Sequence, residues 1–146
     1  MKQFFSMLAL LTVGFCSSVS AQIVETRPTP LQQSSKDVVV VYHADQGSKG
    51  LMGLTTGVYA HTGVITNKSN GEWAYAPSKW GDNDPKYALT YVGADTWELN
   101  IGDIRTYYGI TEPDEVVEKL AFVFRSSDCS KEGKTADGGD IFIDVH

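Results

Sequence analysis

An all-β sandwich is what the sequence predicts, and three observations predict it. Short apolar runs are separated by clusters of Gly, Asn, Asp and Pro, which is how strands joined by tight turns are punctuated. Within several runs the apolar residues alternate with polar ones, the period of a strand with one buried face. About seven such runs fit into a length that supports one domain. The runs span residues 38–43, 58–66, 72–76, 87–92, 96–101, 119–125 and 141–145.

Taken in order, the first run, Val38–His43, is four valines followed by Tyr42 and His43. In the second, Val58, Ala60, Thr62 and Val64 point one way and Tyr59, His61, Gly63 and Ile65 the other. In 72–76, Ala74 and Ala76 oppose Trp73 and Tyr75. Trp97, Leu99 and Ile101 share a face against Glu98 and Asn100, which marks Trp97 as core. Leu120, Phe122 and Phe124 oppose Ala121, Val123 and Arg125, and Ile141, Ile143 and Val145 oppose Phe142 and Asp144. One short helical turn is expected at 103–109, with Asp103 suited to the N-cap and Gly109 to the left-handed residue that ends it. A second short turn is expected around Pro113, Asp114 and Glu115.

The start of the chain reads as an address rather than as fold. Lys2 precedes an apolar run from Phe4 to Phe15, and Val19 and Ala21 are small side chains at the two positions a signal peptidase reads. The run is shorter than the roughly 20 residues of a membrane span. A cleaved signal over 1–21 therefore predicts a secreted, periplasmic or cell-surface protein with no membrane insertion in its mature form. Phe15 ahead of Cys16 disfavours lipid attachment, which needs a small residue there. Removal of 1–21 leaves 125 residues with 11 basic and 18 acidic groups and Cys129 as the sole cysteine. Residues 22–36 hold two prolines and no apolar periodicity and read as an extended lead-in to a domain at 37–146. The sequence stops one residue after its last expected strand, the pattern of a domain cut from a longer protein.

Charge excludes some partners. The formal net charge of −6 argues against nucleic acid, which needs a basic surface to displace counterions from phosphates. It also argues against an anionic membrane surface. No catalytic residues, metal ligands or cofactor are expected. His43, His61 and His146 lack metal-site spacing, and no nucleophile-elbow or phosphate-loop motif occurs. Cys129 sits in a polar loop as a tolerated thiol. The acid-rich loops at 82–84 and 137–140 are what tight turns need, although a pair of placed acids could serve a hydrolase.

Aromatics are the specific signal. If the small residues of 58–65 and 73–77 face the core, then Tyr59, His61, Trp73 and Tyr75 share the outer face, with Trp80 and Lys79 just beyond. Flat rings beside donors and acceptors suit a sugar, whose C–H faces stack while its hydroxyls hydrogen-bond. The plainer alternative is that these rings fill the core.

The runs at 58–66, 104–109, 119–125 and 138–145, together with Trp73 and Trp80-Gly81, occur in an order that resembles the N-terminal immunoglobulin-like domain of secreted α-amylase-type glycoside hydrolases. The resemblance extends from about Gln22 to Val145 and implies a catalytic barrel downstream. Tyr59-x-His61 followed by Trp73 is also similar to the binding strand and tryptophan of the starch-binding modules of carbohydrate-binding families 25 and 26. It implies an immunoglobulin-like β-sandwich that binds α-glucan through Tyr59, His61 and Trp73. Tyr75, Lys79 and Trp80 rest on the face assignment alone. The alternatives are a spacer that packs on the barrel without binding sugar, and an independent hydrolase.

Overall fold

A computed structural model describes residues 22–76 and 79–146. The expected export signal and Cys16 lie outside the described residues. The described residues form an all-β sandwich of two antiparallel four-stranded sheets. Its strands are β1 (Val24–Arg27), β2 (Val38–His43), β3 (Val58–Thr66), β4 (Thr90–Gly93), β5 (Thr96–Gly102), β6 (Val117–Ser126), β7 (Glu132–Gly133) and β8 (Ile141–Asp144). The first sheet has the order β1-β2-β5-β4. In the second, β3 lies on one side of β6, and β7 and β8 pair with successive stretches of its other side.

Alternation explains which faces meet. Val38, Val40 and Tyr42 of β2 and Trp97, Leu99 and Ile101 of β5 are buried against Val58, Ala60 and Val64 of β3 and Leu120, Phe122 and Phe124 of β6. Tyr42 reaches across the sandwich to stack on Phe124, with ring centroids 4.1 Å apart. Thr62 is the polar member of that inner row. Its hydroxyl bonds the Ala121 carbonyl at 2.8 Å and the Tyr108 hydroxyl at 2.7 Å, which satisfies a group that is costly to bury alone.

The helical turn forms as its caps require. α1 (Ile104–Tyr108) is opened by the Asp103 carboxylate, which accepts from the Thr106 amide at 2.9 Å, and closed by Gly109 at φ 73°. Ile104, Tyr107 and Tyr108 bury its inner side. Among the described residues no helix is long and apolar enough to cross a membrane.

Three expectations change. The lead-in does not merely extend. Val24–Arg27 pairs with β2, Leu31 enters the core, and Gln33 exchanges side-chain hydrogen bonds with the backbone of Val117. The run expected as a strand at 87–92 begins as a 3-10 turn, Pro85–Tyr87, capped by Asp84, and becomes a strand only at Thr90. The run at 72–76 makes a single bridge, Ala74 to Val64, instead of a strand.

Carboxylates hold many of the loops. Hydrogen bonds from Thr106 to Asp103, Lys68 to Asp114, Thr66 to Glu115, Thr135 to Asp137 and Lys119 to Asp144 keep each acid below its ordinary range. The Ser130 amide and hydroxyl take Asp128 down to about 2. His61 is also depressed from 6.5, chiefly by burial. A depressed folded pKa means the unfolded chain binds the proton more readily, so stability is present above the unfolded value and lost as pH falls. The melting temperature is expected to dip slightly from about pH 6.5 as histidine titrates and to fall steeply from about pH 4 towards 2. A melting temperature that rises on acidification in thermal scans would contradict this.

Candidate functional site

The outer face of the second sheet is unusually covered. β3 and β6 pair in the register Tyr59↔Arg125, His61↔Val123 and Gly63↔Ala121, so these six residues face away from the core. Yet Ala121, Val123 and Arg125 are all buried. The cover comes from the chain itself. After β3 it turns through 67–71 and returns as a strap, 72–76, bonded to β3 by Val64 N–H to the Ala74 carbonyl (2.9 Å) and Ala74 N–H to the Val64 carbonyl (2.7 Å).

Gly63 makes the crossing possible. A Cβ there would lie 3.1 Å from the Ala74 oxygen and 3.2 Å from Cε3 of Trp73, closer than either comfortably allows. The strap thus lays the Trp73 ring on His61, with centroids 5.5 Å apart and planes 26° from parallel. Trp80 meets His61 edge to face at 5.3 Å.

Behind these rings stands Arg125, only 1% exposed. Its guanidinium carbon lies 5.2 Å from the Tyr59 ring centroid and 5.8 Å from that of Trp80, positions where a cation is attracted by the ring quadrupole. Nη1 donates to Asn83 Oδ1 at 2.8 Å and to the Ser126 carbonyl at 3.0 Å, and Nη2 donates to the Asp82 carbonyl. Arg125 thereby anchors the loop that carries Trp80. Beside the cluster lies a shallow hollow of about 370 Å³ lined by His61, Glu72, Trp73, Val123 and Asp140.

The electrostatics favour a neutral imidazole. Burial first, and the Arg125 charge second, hold His61 below its ordinary value, while Asp140 pulls the other way. At neutral pH the His61 ring therefore carries one donor and one acceptor, of which the Nδ1 side is buried without a partner among the described residues. Trp80, 45% exposed, is the most open ring of the cluster.

Of the six residues picked from sequence, Tyr59, His61, Trp73 and Trp80 come together. Tyr75 does not join them. It sits at φ 53°, which breaks the strand alternation that would have placed it beside Trp73. Its hydroxyl instead donates to Glu115, whose other carboxylate oxygen accepts from Thr66 at 2.6 Å. Lys79 is exposed, and its carbonyl accepts from the Asp82 amide in a turn. It does not line the hollow. Arg125, Glu72 and Asp140 were not assigned to this site from sequence, because the β3–β6 register, the strap and the loop before β8 respectively bring them in. The one available signal was an arginine at an alternating position in an otherwise apolar run.

The acid-rich loops act as turn caps. Asp82 accepts from the Asp84 amide, Asp84 from the Lys86 amide, and Asp137 from Thr135 and the Gly139 amide. Among the described residues no group of three or more His, Cys, Asp or Glu converges to hold a metal. A scan against protein-family models gives no match, and a comparison with curated proteins gives none either.

Proposed function

We propose that this sandwich is a non-catalytic carbohydrate-binding module that takes an α-glucan such as starch or a maltooligosaccharide, on behalf of an α-amylase-type hydrolase. The observation that carries the reading is the aromatic cluster of Trp80, His61 and Trp73 beside a hollow edged by Glu72 and Asp140. Indole faces suit the C–H faces of a sugar, and carboxylates accept from its hydroxyls. The choice of α-glucan rests on the resemblance of Tyr59-x-His61 and Trp73 to starch-binding modules.

One observation favours the spacer reading instead. Trp73 stacks on His61, and Arg125 lies over Trp80, so part of the ring surface already serves packing. Affinity electrophoresis of residues 22–146 through starch separates the two. Retardation is expected, and the affinity is expected to fall roughly five- to thirtyfold in Trp80→Ala and in Trp73→Ala, since ring stacking contributes on the order of 1–2 kcal/mol. An unretarded chain would sink the binding reading and leave the spacer.

A further inference from the structure

The hollow beside the rings has a charge pattern that bears on which glycans fit. Its polar rim consists of Glu72, Asp140 and the neutral His61. Glu72 is exposed and Asp140 half-buried, and Asp140 stands near enough to His61 to act on its charge. Arg125, the cation that acts on His61, does not offset them at the surface. It is buried behind Tyr59 and Trp80, and both terminal nitrogens are engaged by Asn83, Asp82 and Ser126. Lys79 lies outside the hollow's lining.

Ionised carboxylates only accept hydrogen bonds. A sugar edge entering this hollow must therefore bring donors, which unsubstituted hydroxyls do. An edge carrying a carboxylate or sulfate brings acceptors and a like charge, and both count against it. We propose that Glu72 and Asp140 are specificity-determining residues that make the aromatic face select neutral glycans and reject acidic ones. The inference rests on the carbohydrate-binding reading above and adds the residues that set its charge selectivity.

The test uses a matched pair of probes, amylose and carboxymethyl-amylose of the same chain length, titrated into residues 22–146. At about 10 mM salt the acidic probe is expected to bind roughly tenfold more weakly, and by about 0.5 M salt the gap is expected to shrink to threefold or less, because screening shortens the reach of exposed charges. In the double variant Glu72→Gln, Asp140→Asn, amylose is expected to bind more weakly for want of the two carboxylate acceptors, and the low-salt gap between the two probes is expected to close. Equal binding of both probes by the unsubstituted chain would overturn the selectivity and leave the carbohydrate reading standing. A gap that ignores both salt and the double variant would be steric exclusion, and would overturn the role of the two carboxylates. Binding of neither probe would remove the carbohydrate reading and this inference with it.

Discussion

Trp97→Ala is expected to destabilise the sandwich by about 3 kcal/mol, at the lower end of the roughly 3–5 kcal/mol typical of a buried tryptophan truncation. The ring is 1% exposed, lies against Tyr91 at 4.9 Å between centroids, and sits opposite Tyr42 in the β2–β5 register. Its truncation leaves a cavity among groups that a paired sheet holds in place. The lower end follows from the indole Nε1, which is buried without a hydrogen-bond partner among the described residues. Removing that unsatisfied donor offsets part of the loss. Trp80→Ala is the control. With Trp80 45% exposed, the cost should be about 1 kcal/mol or less. Denaturant melts of the two variants check the contrast, and equal losses would mean that Trp80 is as structural as Trp97.

Gly133→Ala is expected to cost about 1–3 kcal/mol by overpacking. The glycine pairs with Phe124 in the short β7. A Cβ there would run into the Tyr42 hydroxyl and come within 2.9 Å of its ring carbon Cζ and 3.1 Å of Leu51 Cδ1. Both neighbours are fully buried, and Tyr42 is further held by its stack on Phe124. Neither can retreat without opening the core elsewhere. A drop of several degrees in melting temperature is the expected readout. An unchanged melting temperature would mean that β7 does not press on Tyr42.

What the sequence made legible were the elements whose local signals and tertiary roles agree. β2 and β3 begin and end where alternation and flanking turns place them, Trp97 is core, and Asp103 and Gly109 bracket the helical turn. β1 was hidden because Val24-Glu25-Thr26-Arg27 is four residues long and turns inward one valine and one threonine, too little to show an apolar period. The strap was hidden because one left-handed residue, Tyr75, undoes the alternation of a five-residue run. The site was half legible for the same kind of reason. Its rings declare themselves in β3 and in the stretch that follows it, whereas Arg125 and Asp140 enter through register and loop path, which depend on pairings over 60 residues away in the chain.

The strap has a consequence for solubility. β3 is joined to β6 on one side only, and a strand with its other backbone edge bare is a template for pairing with another chain. Ala74 covers that edge at Val64, and Ala88 covers it at Tyr59. The segment that offers Trp73 outward is therefore also a guard against self-association. Changes that loosen it at Gly63 would expose a β-edge at the same moment that they displace the ring. A clumped variant and a ligand-blind variant would then share one structural cause.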